Sequence, residues 1–415
     1  MNPSAPKTEP PPSTQLRKAV LGVALKIRPL LLPACALAAA LLASFFPNQS
    51  ANAAGVDFVH VTDFYHPHAD PDDHFDAATV FALHQRGALS LRAVCLDAPY
   101  NSVLNGTDKL GIGDPAVMAL AQLQVMTGAS VPFAVGCPRR LTKTGDTQPE
   151  ATPGDLAAAN LILATLREAR APVVISICGG NRDMAIALAR EPELFRKRCR
   201  AIYISAGRTH GEDSPKECNV HIDPLGAATV FNTAPGPVYW LPAFDAWKGP
   251  DEGTGRDDIA WGGPHDSLYR VEQKPVFDVV SPRLKNYFAF ALRSGQFAAE
   301  RQPPELNWWR YLNGAPDQAL LAEHGAKRRA MWTTAAYLHA AGLTVEEDGR
   351  IVPRAEAKSP VFDFAPITIK ADGQCRISWQ PAPEGKSRFI LTKSSAEAYC
   401  RAMPLALVSL LKELR

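Results

Sequence analysis

Four aspartates fall within one short stretch of the chain, Val61-Thr62-Asp63-Phe64-Tyr65-His66-Pro67-His68-Ala69-Asp70-Pro71-Asp72-Asp73. Carboxylates held this close raise one another's pKa unless a cation or a proton lies between them. A hard divalent ion with several oxygen ligands neutralises them most effectively. The stretch follows a β-type run, which places Asp63 at a strand end. Asp70 reads as the N-cap of the next helix, with Pro71 at its first position. A cap with acidic residues favoured by the helix dipole accounts for Asp70–Asp73 without any metal, and that plainer reading stays open. His66, His68 and His74 offer imidazole to zinc, nickel or copper, or are polar loop residues.

The elements around this cluster alternate. Strands are expected at Val56–Val61, Leu91–Leu96, Val131–Val135, Val173–Ile177, Ala201–Ser205 and Pro237–Leu241. Helices are expected at Asp72–Gln85, Asp114–Thr127, Pro153–Arg167, Arg182–Arg190 and Asp223–Phe231. Strands separated by helix-length segments imply right-handed crossovers and an α/β fold, a mostly parallel open sheet flanked by helices. The apolar run Val173-Val174-Ile175-Ser176-Ile177 suits a strand buried on both faces. In such a sheet the ligand crevice lies beyond the carboxyl ends of the strands, where Asp63 falls. Residues 246–281, rich in Gly, Pro, Asp and Trp, read as an irregular excursion. Helical patterning returns at Ser281–Arg293 and Ala326–Ala341, followed by a β-type stretch at Phe362–Trp379 and a final helix, Ser395–Leu414.

The first 53 residues read as a segment outside the fold. A polar, Pro-rich, basic stretch precedes the apolar run Leu30–Phe46, and Ala51-Asn52-Ala53 has the small-x-small spelling of a cleavage site. This order predicts a cleaved secretory signal peptide and an exported protein, periplasmic or secreted, with residues 54–415 as a single domain. The run is short for a membrane span and is broken by Pro33. Residues 1–53 hold five basic residues and one acidic, so cleavage takes the formal charge from +2 to −2. A near-neutral chain without a basic run does not suit nucleic acid as a partner. Seven cysteines remain, an odd number without a CxxC pair, which argues against a cysteine-based zinc or redox centre. Cys95 and Cys178 sit in apolar runs and read as small buried hydrophobes. Trp332 and Trp308-Trp309 read as packing residues or as a stacking surface for a sugar or base.

Asp63 followed by Asp72-Asp73 resembles the amino-terminal aspartate motif of the inosine-uridine-type nucleoside hydrolases, with a longer gap than the family has. The Asp-Pro-Asp-Asp spelling is closer to a divergent, exported branch. Val131–Cys137, Gly179-Gly180-Asn181-Arg182 and above all Glu217-Cys218-Asn219-Val220-His221-Ile222-Asp223-Pro224 resemble further family stretches. So do Phe362–Pro366 and Arg388–Leu391, which carries the resemblance over roughly residues 56 to 410.

The resemblance implies a Rossmann-type fold and hydrolysis of the N-glycosidic bond of ribonucleosides by a calcium-activated water. Asp63 would be the general base. Asp63, Asp73 and a main-chain carbonyl at Asn181 or Arg182 would ligate the calcium. Asp72, Glu217 and Asn219 would hold the ribose. One departure stands out, because Ala330 and Met331 occupy the place of the family's late His-Asp pair, and Met331 is a poor ligand for a hard cation. His265-Asp266 spells the pair at an earlier position. Two functions therefore stay open: a hydrolase acting on a small nucleoside or riboside, and a sugar- or nucleoside-binding protein that keeps the fold without turnover. Association into homo-oligomers stays open as well.

Overall fold

The computed structural model describes residues 55–63, 72–98, 116–245, 262–291 and 313–414. All of them fall in one compact unit, Ala53–Arg415. The cleavage segment, Asp70, His66, His68, Trp308 and Trp309 lie outside the described residues.

The first half runs as the alternation predicts. It passes through β1 (Val56–Thr62), α1 (Asp72–Gln85), β2 (Leu89–Leu96), α2 (Val117–Thr127), β3 (Phe133–Val135) and α3 (Ala157–Glu168). Next come β4 (Val173–Ile177), α4 (Arg182–Arg190), α5 (Pro192–Arg198), β5 (Cys199–Ser205), α6 (Cys218–Ile222), α7 (Pro224–Thr233) and β6 (Val238–Leu241). The strand at 131–135 is shorter than expected, since Pro132 has no N–H for the ladder and only its carbonyl takes part, accepting from the Val94 amide at 3.0 Å.

The second half continues with β7 (Tyr269–Glu272), α8 (Gln273–Val279), α9 (Pro282–Ala291), α10 (Gln318–Gly325), β8 (Arg328–Met331), α11 (Thr334–Ala340), β9 (Leu343–Val345) and β10 (Ile351–Pro353). The chain closes with β11 (Phe362–Ala371), β12 (Ile377–Pro381), β13 (Arg388–Lys393) and α12 (Ala396–Lys412).

Two expectations are corrected here. Residues 269–279 are ordered as a strand and a helix rather than as irregular chain. The helix expected over Ala326–Ala341 is split, because Arg328–Met331 pairs antiparallel with Tyr269–Glu272, Met331 opposite Tyr269. Pairing with a segment some sixty residues away overrides a local helical pattern, since tertiary partners outweigh weak propensity.

The nine-stranded sheet runs β12-β11-β13-β6-β5-β4-β1-β2-β3. Pairing is parallel from β3 through β13, and β11 and β12 add antiparallel strands at one edge. Apolar clusters cover both faces: Phe58, Phe75, Phe81 and Met403 on one, Val59, Ile175, Ile204 and Phe231 on the other. Double burial explains why the central strands read as continuous apolar runs.

The order 3-2-1-4-5-6 reverses direction between β1 and β4. In doubly wound sheets that switch point opens a crevice at the carboxyl ends of the strands.

Candidate active site

Three strand ends meet at this crevice at one level. The Cys178 amide donates to the Val61 carbonyl and the Asp97 amide to the Thr62 carbonyl, both at 2.9 Å. Asp63, Asp97 and Cys178 therefore leave β1, β2 and β4 side by side. The turn after β4 needs its two glycines. A Cβ on Gly179 would lie 2.7 Å from the Asp63 amide and 2.8 Å from Asp63 Oδ1, and one on Gly180 would lie 2.6 Å from Asp97 Oδ2. The Gly180 amide instead donates to Asp97 Oδ2.

Asp63 is buried, as is Asp97. Burial, then the neighbouring Asp63 and Asp183, push the Asp97 carboxyl well above the ordinary carboxylate range. Burial likewise raises Asp183 to about 6, although the Cys137 amide donates to it at 3.0 Å. The crevice thus gathers carboxylates that repel one another in a poorly solvated setting.

Asp72 and Asp73 open α1. Asp72 is half-buried and Asp73 buried, with the Thr62 hydroxyl 3.5 Å from Asp73 Oδ1. Asp76, one turn further on the same helix, is fully buried, and the Thr333 hydroxyl donates to its Oδ2. Among the described residues, Asp73, Asp76 and Cys178 bring donor atoms within 4.8 Å of one another. Burial, followed by Asp73 and Asp76, holds the Cys178 thiol well above its usual range.

Asp63 is not one of that trio. Sequence reasoning singled out Asp73 and missed Asp76 and Cys178. The i, i+3 spacing of Asp73 and Asp76 was a visible signal for the first. Nothing along the chain signals Cys178, whose partners lie about a hundred residues away.

The donor set bears on the expected calcium. Calcium takes six to eight oxygens, whereas the converging side chains offer two carboxylates and a sulfur. A thiolate suits softer divalent ions, so the trio fits calcium poorly.

The other expected residues are placed as follows. The Arg182 side chain is buried in an ion pair, Nε to Asp223 Oδ2 at 3.0 Å, and also donates to the carbonyls of Cys137 and Ile222. Asp223 further accepts from the amides of Leu141 (2.8 Å) and Gly226 (3.1 Å). The Asn181 carbonyl accepts from the Ala185 amide at 2.9 Å, as the residue before a helix does. Its buried side-chain Oδ1 has no hydrogen-bond partner among the described residues.

Glu217 caps α6, accepting from the amides of Gly207 (2.7 Å), Asn219 (3.0 Å) and Val220 (3.1 Å). The Asn219 amide group donates to the carbonyls of Ser205 (2.9 Å) and Cys178 (3.3 Å), which ties α6 to the ends of β5 and β4.

His74 is not a loop residue. It lies on α1, fully buried, with Nδ1 3.1 Å from the Tyr287 hydroxyl. Met331 is core, buried on β8. Asp266 does not replace the missing acid, because it is buried in an ion pair with Lys393 and accepts from the Gly263 amide at 2.8 Å. His265 Nδ1 lies 3.0 Å from the Leu391 carbonyl. Trp332 packs on Phe244 and donates to the Ala243 carbonyl at 3.0 Å.

Residues 70–245, less than half of the chain, match the family model described as inosine-uridine preferring nucleoside hydrolase. A pyrimidine-specific ribonucleoside hydrolase RihA from Citrobacter koseri is 33% identical over 87 residues, covering 21% of this chain and 28% of the relative. RihA from Escherichia coli O1:K1 is 28% identical over 131 residues, covering 28% of this chain and 42% of the relative. The chain thus spans less than half the length of these curated relatives. The crystal structure of an inosine-uridine preferring nucleoside hydrolase from Bacillus anthracis aligns with a TM-score of 0.42 at 11% identity, over 87% of this chain and 100% of that one. Through residues 70–245, this chain is similar to the inosine-uridine preferring nucleoside hydrolases.

Proposed function

We propose that this protein is a member of the nucleoside hydrolase family and cleaves the N-glycosidic bond of a ribonucleoside or related riboside. In this reaction the C1′–N bond breaks, water supplies a hydroxyl to C1′, and its proton goes to the departing base. The observation that carries the reading is the placement of Asp63, Asp97, Asp73 and Asp76 around the β1–β4 switch point. Buried carboxylates there favour the positive charge that builds on the sugar ring in an oxocarbenium-like transition state.

Asp63 takes the proton of the attacking water as general base. Its strand-end position and the close Gly179 backbone hold it in one orientation. Asp72, half-buried at the mouth of α1, contacts the ribose hydroxyls. Glu217 and Asn219 contribute mainly by shaping the rim, with the Asn219 Oδ1 as the atom left to meet a sugar hydroxyl. The Arg182 main chain borders the same turn. Asp63, Asp73 and a main-chain carbonyl at Asn181 or Arg182 would hold a divalent cation, calcium in the family this chain resembles, whose charge would ease ionisation of water.

A second reading, a binder of sugars or nucleosides without turnover, draws on one observation: Met331 packs in the core where the family places an aspartate. Export with removal of residues 1–53 belongs to the same proposal, and amino-terminal sequencing of the protein purified from its native host checks it.

The deciding experiment measures ribose release from inosine, uridine and nitrophenyl riboside by the full chain, beside Asp63→Ala. Release that is lost in the variant supports hydrolysis. Ribose binding without release by the parent protein sinks it and leaves the binder.

A further inference from the structure

On the sheet face covered by Phe75, Phe81 and Met403, side chains line up in rows that cross the strands in register. One row is apolar throughout: Phe58 of β1 pairs with Val174 of β4, and Val174 with Ala201 of β5. The next row towards the crevice is polar. His60 stands opposite Ser176, and Ser176 opposite Tyr203. The Tyr203 hydroxyl is satisfied, 2.6 Å from His339 Nδ1 on α11. Its neighbours in the row are not. His60 and Ser176 are each 1% exposed, and neither ring nitrogen of His60 nor Ser176 Oγ has a hydrogen-bond partner among the described residues. The imidazole instead meets the Tyr337 ring edge-on, with centroids 5.6 Å apart. Burial lowers the His60 pKa to about 3, so the ring is neutral and offers one donor and one acceptor nitrogen. Polar atoms buried in this way forfeit their hydration with nothing returned by the protein.

We propose that His60 and Ser176 form an enclosed water-binding site, in which one water bridges a ring nitrogen of His60 to Ser176 Oγ. Paired residues on adjacent strands stand about 4.8 Å apart. Two hydrogen bonds of about 2.8 Å through a single oxygen span up to about 5.6 Å, which matches that spacing. Water both donates and accepts, so it serves either tautomer of the imidazole and either rotation of the serine hydroxyl. The row itself holds no carboxylate for a cation and, with the imidazole neutral, no positive charge for an anion. A small neutral ligand is left, and buried waters characteristically take such places between polar groups that lack partners. The site lies one row beneath Thr62, under the floor of the crevice, and its water is distinct from the one consumed in hydrolysis. It therefore stands whether or not the hydrolase reading does.

The test joins a crystal structure of the full chain, at a resolution that shows ordered solvent, to a double-mutant cycle in urea unfolding with His60→Phe and Ser176→Ala. The crystal structure is expected to show one water within about 3.2 Å of both a His60 ring nitrogen and Ser176 Oγ. Empty density between the two residues, or a direct His60–Ser176 hydrogen bond, overturns the proposal. In the cycle, either substitution takes away the shared water. The second is then expected to cost less than it does alone, by at least about twofold in the unfolding constant. Additive losses overturn the bridge. Should His60→Phe not fold, the crystal structure of Ser176→Ala decides: loss of the water supports the site, and a water unmoved on His60 overturns it.

Discussion

Two buried ionic regions share the carboxyl side of the sheet and are built in opposite ways. At the heads of α4 and α7, Arg182 and Asp223 form a close ion pair whose remaining polar atoms bond to the main chain of Cys137, Leu141, Ile222 and Gly226. At the ends of β1 and β2 and on α1, acids gather instead, and burial, followed by Asp63 and Asp183, drives up the pKa of Asp97. The first region holds loops in place and has little capacity left for a ligand. The second accepts repulsion that folding alone has no reason to keep. Burial of charge therefore does not mark a site by itself; what matters is whether the fold has already neutralised it.

The largest expected effect separates the two regions directly. Asp63→Ala is expected to lower the rate of ribose release by about 10²–10⁴-fold, the usual contribution of a general base, with the melting temperature little changed. A steady-state assay beside calorimetry checks this, and equal losses of activity and stability would merge the two regions into one structural role.

Arg182→Ala should act the other way. It leaves Asp223 buried without its cation, and a loss of about 3–5 kcal/mol in urea unfolding is expected. Replacing Arg182 and Asp223 together by apolar residues should recover part of that loss. A double variant as unstable as the single one would show that the amide bonds to Asp223 outweigh the ion pair.

Asp97 tests the repulsive side. Its raised folded pKa means the native state holds a proton that the unfolded chain has released. Stability is therefore present below the ordinary carboxylate range and falls as pH rises toward the folded value. Asp97→Asn keeps an acceptor for the Gly180 amide without the charge. It should flatten that decline, read as urea midpoints at pH 5 and pH 8 against the parent protein. A steeper decline in the variant contradicts the crowding of acids.

The smallest effect concerns Glu217, which the sequence places in the site and the structure uses as a cap. Glu217→Ala should cost roughly 0.5–2 kcal/mol, the range for losing an N-cap, measured by thermal unfolding. A large rise in KM for the riboside without that stability loss would return Glu217 to the sugar.

Much of the first half was legible because its signals are local. Asp72–Gln85, Val173–Ile177 and Arg182–Arg190 keep the expected bounds, since apolar periodicity and caps act over a few residues. Beyond residue 246 the reading weakened. Arg328–Met331 carries a helical pattern but follows its distant partner, Tyr269–Glu272. Asp266, which spells the acid of the family's late pair at an earlier position, is claimed by Lys393 from the last strand. His74, one of three histidines grouped by proximity in sequence, meets the Tyr287 hydroxyl inside the core.

By itself, the sequence determined the α/β alternation, the strand-end position of Asp63 and the acidic start of α1. These follow from hydrophobic periodicity and from which residues begin and end elements, both short-range properties. Only the tertiary structure decided which acids work together. Strand order set Cys178 beside Asp73 and Asp76, put Asp97 against Asp63, and bound Glu217, Asn219 and Arg182 to main-chain partners. Charge and coordination act through a few ångströms of space, and distance along the chain does not measure that.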